Sequence, residues 1–225
     1  DKLFVKLYTA EEDLTIHILL DTSASMGFGS PSKLDYAKRV GAALAYIGYI
    51  NLDRVRAASF NDSRGKFLDP SRRSGVSILF RFFEDLESGG QTRFNSALSE
   101  YAASVRRPGL AIVLSDLLDP AGYYDGLKTL RFAGYDVMLI QILAEEEIAP
   151  SANGALDLID SETGEHLRMT VDKRVLEAYS LRLEAHFRDV EQFTLSQGIE
   201  YVRASTIVPF EDLVLKYLRQ GMHLH

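Results

Sequence analysis

The sequence predicts an α/β protein with a doubly wound, mostly parallel central sheet flanked by helices, and with an antiparallel edge strand. Two observations support this fold class. Apolar runs rich in Ile, Val and Leu recur along the chain, and segments with a three-and-four apolar spacing lie between them. Uninterrupted apolar runs are typical of parallel strands buried on both faces. Strands that alternate with helices wind into such a sheet through right-handed crossovers.

Three apolar runs are the predicted central strands. They are TIHILL before Asp21, LAIVL before Ser115 and Asp116, and DVMLIQIL before Ala144. The segments RVRAASF and GKFLD flank the turn-like NDSR and predict a hairpin at the sheet edge. A second hairpin is predicted where ALDLID and HLRMTV flank SETGE.

Helices are predicted between these strands. KLDYAKRVGAALAYIGYI has the helical apolar spacing, and Ser32 with Asp35 offers a capping box at its start. FNSALSEYAASV and GYYDGLKTLRFAG repeat the spacing over shorter lengths. The longest predicted helix runs from about Asp172 to Gln197 with Gly198 as its stop, and a last helix runs from Pro209 to Gly221. The acidic run EEE at 145–147 is interpreted as a solvated loop.

Length and composition restrict the domain organisation. With 225 residues and 46% apolar content, we expect one domain spanning 1–225. The chain opens at Asp1 inside KLFVKLY, which also has the pattern of a strand. We therefore expect the C-terminal part of a longer chain, whose upstream part carries an anchor or another domain.

Charge and cysteine content exclude several classes of function. A formal net charge of -7 argues against a nucleic-acid duplex or an anionic membrane as the main partner. The absence of cysteine excludes disulfides, thiolate catalysis and cysteine zinc sites. The sequence shows neither a membrane-helix stretch nor a signal-peptide pattern, so we expect a soluble, provisionally cytoplasmic protein.

Oxygen-bearing side chains follow two of the predicted central strands. Asp21 and Asp116 end strands whose carboxyl ends meet at one sheet edge, where ligands collect in doubly wound folds. Ser23 and Ser25 follow Asp21 at a spacing of two, and Thr92 stands where a loop enters the helix before the Asp116 strand. Carboxylates and hydroxyls from three loops suit a hard divalent cation such as Mg²⁺.

These residues carry a family resemblance. DTSAS, then the threonine of GGQT, then LSD at a strand end resemble the metal-ion-dependent adhesion site of von Willebrand factor A-type domains. The order LLDTSASM, GGQT, VLSDLLD, LIDSETGEHL, a tyrosine-containing long helix and PFEDLVLKYL is similar to a bacterial family of uncharacterised A-type proteins. Members of that family are commonly encoded beside MoxR-type AAA+ ATPases. The resemblance covers nearly the whole chain.

The resemblance implies a site, a cofactor and partners. The implied metal ligands are Asp21, Ser23, Ser25, Thr92 and Asp116. The serines and the threonine would bind Mg²⁺, Mn²⁺ or Ca²⁺ directly, and the aspartates would bind it directly or through water. One coordination position would stay open for an acidic side chain of a protein partner. The implied role is a non-enzymatic adaptor or co-chaperone of a MoxR-type AAA+ ATPase, and the chain itself has no P-loop pattern.

Alternatives remain open at this point. Asp21 and its serines also suit a strand-to-helix turn, and Thr92 also suits a helix N-cap that bonds the Asn95 amide. A Mg²⁺-dependent phosphatase-like hydrolase would use Asp21, although Ser23 stands where such enzymes place a second aspartate as general acid. Many A-type domains have aspartate directly after the motif threonine, whereas this chain has Arg93, which keeps a metal-independent scaffold open.

Overall fold

The computed structural model describes residues 14–62, 65–70, 75–105, 107–151 and 154–219, so the predicted strand KLFVKLY and Gly221 lie outside the described residues. The strands are β1 (Thr15–Asp21), β2 (Arg54–Phe60), β3 (Phe67–Leu68), β4 (Leu110–Ser115), β5 (Asp136–Leu143), β6 (Gly154–Ile159), β7 (His166–Val171) and β8 (Glu200–Ser205). The helices are α1 (Lys33–Ile50), α2 (Val76–Glu84), α3 (Phe94–Ser104), α4 (Tyr124–Phe132), α5 (Glu145–Ile148), α6 (Lys173–Gln197) and α7 (Phe210–Arg219).

Among the described residues, six strands form one sheet in the order β3-β2-β1-β4-β5-β8. The neighbours from β2 to β8 pair in parallel, and β3 runs antiparallel to β2 at the edge. Strands β6 and β7 form a separate two-stranded antiparallel sheet. The predicted fold class and both predicted hairpins are confirmed.

Strand β1 shows how the sheet is buried on both faces. All seven of its residues are buried, and their side chains alternate between two apolar clusters. Ile18 and Leu20 pack in the cluster that includes α1 and α2, whereas Leu19 packs in the cluster that includes α3 and α4. His17 is fully buried, with its Nδ1 2.8 Å from the Tyr101 hydroxyl, and is a packed core residue.

The ends of two helices follow the predicted signals. The Ser32 hydroxyl accepts a hydrogen bond of 3.1 Å from the Asp35 amide at the start of α1. The Asp172 carboxylate accepts one of 3.0 Å from the Val175 amide at the start of α6. Helix α6 ends at Gly198, which takes the left-handed conformation with φ 62°. The Ser32 cap and the glycine stop were predicted because capping is a local interaction, whereas Asp172 was predicted only as the approximate start of the helix.

The structure adds two elements and corrects one prediction. Helix α2 and strand β8 were not predicted. The interpretation of the acidic run as a solvated loop is wrong, because its residues form α5 and the Glu147 side chain is only 15% exposed. The Glu147 side chain can be largely buried because its carboxylate pairs with the buried ammonium of Lys33.

Candidate functional site

The ends of β1 and β4 bring Asp21 and Asp116 to the same edge of the sheet, as predicted. The strands are hydrogen-bonded neighbours, so their last residues lie side by side. Both carboxylates are fully buried. Ser115, which directly precedes Asp116 in the chain, connects the two strand ends. Its hydroxyl donates a hydrogen bond of 2.7 Å to Asp21 Oδ2.

The loop after β1 brings the two serines together. The Ser23 amide donates a hydrogen bond of 2.9 Å to Asp21 Oδ1, which folds the loop back over the strand end. A short 3-10 turn over Ala24–Gly27 follows, and Met26 is buried beneath it. The hydroxyl oxygens of Ser23 and Ser25 then lie 3.1 Å apart. The turn chemistry and the clustering of hydroxyls are therefore both present in this loop.

A second loop carries Thr92 alongside the first. The Gly89 amide donates to the Thr22 carbonyl, and the Ala24 amide donates to the Gly90 carbonyl, each at 2.9 Å. These two bonds tie the glycine-rich loop to the serine loop. Thr92 follows directly, before α3 begins.

Thr92 does not act as the N-cap that one alternative predicted. The N-cap position of α3 is Arg93, and the Phe94 amide is bound by the Asp119 carboxylate at 3.1 Å. The Thr92 hydroxyl instead donates to Glu162 Oε1 at 2.6 Å, and the Thr92 amide donates to Glu162 Oε2 at 3.1 Å. Glu162 belongs to the turn between β6 and β7, and sequence reasoning gave it no role.

The electrostatics of the edge favour a cation. Burial, together with the nearby charge of Asp116, raises the pKa of Asp21 to about 7, against hydrogen bonds from Ser23 and Ser115 that stabilise the carboxylate. Two carboxylates this deeply buried therefore resist being charged together. A positive charge placed between them would relieve that repulsion.

Part of that charge is supplied by Lys33, which the sequence analysis did not single out. Lys33 is the first residue of α1, and its side chain is 0% exposed. Its Nζ lies 2.7 Å from Asp116 Oδ2 and 2.5 Å from Glu147 Oε1. Burial lowers the Lys33 pKa, but the two carboxylates outweigh burial and hold the pKa above its ordinary value. Burial likewise raises the pKa of Glu147 in spite of the ammonium.

One oxygen spacing at this edge suits a magnesium-type cation. Neighbouring ligands of an octahedral Mg²⁺ with bonds of about 2.0–2.1 Å are about 3 Å apart, which matches the spacing of the Ser23 and Ser25 hydroxyls. In the part of the chain that the structure describes, no three histidine, cysteine or acidic side chains cluster as a metal site. Such a cation would thus depend on hydroxyls as well as on Asp21 and Asp116, with Lys33 as a competing charge.

A buried glutamine connects the edge to the far side of the sheet. Gln141 Nε2 donates to the Asp116 carbonyl at 3.0 Å and lies 3.1 Å from His186 Nε2. The Tyr201 hydroxyl donates to Gln141 Oε1 at 2.6 Å. The main chain at Asp116 is therefore held by β5, and through it by α6 and β8.

Solved structures with the same fold come from several bacteria. The conserved hypothetical protein BatB from Bacteroides thetaiotaomicron has a TM-score of 0.57 and 16% identity, over 92% of this chain and 98% of that chain. An aerotolerance-related membrane protein from Bacteroides fragilis has a TM-score of 0.59 and 18% identity, over 92% of this chain and 97% of that chain. The pilus adhesin SpaC from Lactobacillus rhamnosus GG has a TM-score of 0.55 and 12% identity, over 94% of this chain and 31% of that chain.

At these identities the likeness shows the fold alone, which is a Rossmann-like, von Willebrand A-like arrangement of a mostly parallel sheet flanked by helices. The sequence also matches the model of the family "Protein of unknown function DUF58" over residues 1–188. The chain belongs to this family. No curated protein matches it in sequence. Within the described residues, no helix is both long and apolar enough to cross a membrane.

Proposed function

We propose that the chain is a non-enzymatic, divalent-metal-dependent protein interaction module. The observation that carries the proposal is the placement of Asp21, Asp116 and the two serine hydroxyls at one sheet edge. Thr92 lies on the adjoining loop and completes the proposed ligand set. A magnesium ion held there would offer a coordination position to an acidic side chain of another protein.

The proposed partner system includes a MoxR-type AAA+ ATPase, with this chain as its adaptor or co-chaperone. This part of the proposal depends on the sequence resemblance described above. The chain has no P-loop pattern, so ATP hydrolysis would belong to the partner. A pull-down with a purified MoxR-type AAA+ ATPase tests it directly. Binding that Asp21→Asn and Ser23→Ala leave unchanged, with or without EDTA, would contradict the proposal.

Metal binding is tested by thermal unfolding in EDTA, Mg²⁺ or Mn²⁺. A cation at about 100 times its Kd stabilises the fold by roughly 2.7 kcal/mol, and for a chain of this size that raises Tm by roughly 5–11 °C. Ser23→Ala and Ser25→Ala should abolish the rise, because each removes one proposed ligand oxygen and no charge. Ser196→Ala, at an exposed position of α6, is the matched control. A metal response that both serine variants retain would refute the assigned ligands.

A metal-independent scaffold is the second candidate, and one observation favours it. Lys33 places a positive charge 2.7 Å from Asp116, where a cation would otherwise be needed. In that case Tm would not respond to metal, and partner binding would be insensitive to EDTA while still depending on the same surface.

A phosphatase-like use of Asp21 is less favoured. Its two carboxylate oxygens accept hydrogen bonds from Ser23 and Ser115, and the side chain is fully buried, whereas a nucleophile must reach its substrate. Hydrolysis of p-nitrophenyl phosphate that disappears in Asp21→Asn would restore this candidate.

A further inference from the structure

A carboxylate of the chain itself already lies on one proposed ligand residue. Glu162 binds the Thr92 hydroxyl and amide with its two oxygens, at 2.6 and 3.1 Å. The two residues are 70 positions apart, so tertiary folding brings them together. A carboxylate bound to one proposed ligand lies next to the position where the proposed cation would receive an acidic side chain of the partner.

The turn that presents Glu162 is pre-organised. Asp160 Oδ1 accepts hydrogen bonds of 2.8 Å from the amides of Glu162 and Thr163. Gly164 follows with its amide donating to the Asp160 carbonyl at 2.9 Å. These bonds hold the glutamate at the tip of a tight turn, independently of its contact with Thr92.

The rest of the hairpin is weakly anchored. Strands β6 and β7 pair with each other and not with the main sheet. Most of their side chains are exposed, including Ile159 at 62% and Leu167 at 60%. Two-stranded hairpins are marginally stable by themselves, and segments with little burial open most easily. The contact between Glu162 and Thr92 therefore joins the sheet-edge site to a hairpin that can be released at a small cost in free energy.

We propose that the β6–β7 hairpin is a built-in competitor for the partner, because Glu162, bound to Thr92, occupies the part of the site that the partner's acidic side chain must enter to reach the cation. The inference rests on the proposed function, because it assumes that the site recognises a carboxylate. The partner that it predicts is a protein that presents a glutamate or aspartate at an exposed turn. Arg93, exposed and next to Thr92, adds attraction for such a group.

The experiment compares Glu162→Gln with Glu165→Gln, a matched change at an exposed residue of the same turn. The probe is a fluorescent synthetic peptide with the sequence of residues 157–168, called the acidic peptide. A second peptide, called the glutamine peptide, is identical except that glutamine replaces Glu162. Binding is measured by anisotropy in excess Mg²⁺ and again in EDTA. Exchange of the Thr92 amide hydrogen is followed by NMR in the three proteins without peptide.

Glu162→Gln should bind the acidic peptide about 10- to 100-fold more tightly than the wild type, since an internal competitor leaves only about 1–10% of molecules open. Glu165→Gln should match the wild type, and the glutamine peptide should bind none of the three proteins. The Thr92 amide should exchange faster in Glu162→Gln alone, because the charged acceptor of its hydrogen bond is removed.

Equal peptide affinity of Glu162→Gln and the wild type would overturn the inference, as would an unchanged exchange rate at Thr92 or the absence of binding to any protein. If Glu162→Gln binds the acidic peptide more tightly than the wild type does and EDTA does not weaken that binding, the hairpin still acts as a competitor, but the metal dependence of the proposed function is refuted. The two failures are therefore distinguishable.

Discussion

Replacing Lys33 by methionine should destabilise the fold strongly. The side chain is 0% exposed, and its ammonium lies 2.7 Å from Asp116 and 2.5 Å from Glu147. Methionine keeps the apolar stem but leaves two carboxylates without their cation. Breaking a buried ion pair in this way costs about 3–5 kcal/mol, which lowers Tm by roughly 6–20 °C for a chain of this size.

The assay is thermal and urea unfolding in EDTA, with Lys173→Met as the control. Lys173 lies on α6 with a side chain that is 90% exposed, so its loss should change the free energy of unfolding by less than about 1 kcal/mol. The double variant Lys33→Met with Asp116→Asn should be more stable than Lys33→Met alone, because it removes one uncompensated charge. If Lys33→Met unfolds like Lys173→Met, the ion pair does not hold α1 to the sheet edge and the reasoning is wrong.

Three further outcomes follow from buried groups. Burial and the charge of Asp116 raise the pKa of Asp21 to about 7 from 3.8, so in EDTA the stability of the wild type relative to Asp21→Asn should fall as pH rises from about 4 to 7 in urea titrations. Burial lowers the pKa of His17 from 6.5 to about 4, so the stability of the wild type relative to His17→Gln should fall as pH drops through that interval. The two contributions oppose each other in the wild type, so each is measured as a difference from its own variant. A Cβ on Gly48 would lie 2.6 Å from Ile16 Cδ1, so Gly48→Ala should lower Tm by several degrees despite the better helix propensity of alanine; an unchanged Tm would show that the core yields.

The central fold was predictable because its signals are local and strong. The apolar runs of β1, β4 and β5 and the spacing in α1 identify their own structure without help from distant residues. Strand β8 was missed because its sequence, EYVRAS, mixes apolar with polar and charged residues and lacks a continuous apolar run. Among the described strands it pairs only with β5, so it lies at the edge of the sheet. Helix α2 was missed because VSILFRFFE is a short apolar stretch, for which periodicity separates helix from strand poorly.

The positions of the predicted ligands followed from the fold, whereas their partners did not. Asp21 and Asp116 had to meet because they end adjacent parallel strands. Lys33 and Glu147 are 114 residues apart, and nothing in either segment marks the other. A lysine at the first turn of a helix, where cations are disfavoured by the helix dipole, was the one available signal. The contact between Glu162 and Thr92 had no such signal.

The close fit of α1 against β1 has a consequence for ligand affinity. Gly48 leaves no room for a methyl group against the strand, and Lys33 begins the same helix about 22 Å away along its axis. A helix seated so tightly cannot slide without disturbing the apolar cluster beneath it. The position of the Lys33 ammonium at the sheet edge therefore depends on how α1 packs against the interior. A substitution that enlarges or shrinks that interior would therefore displace Lys33 from Asp116 as well as change the stability of the fold.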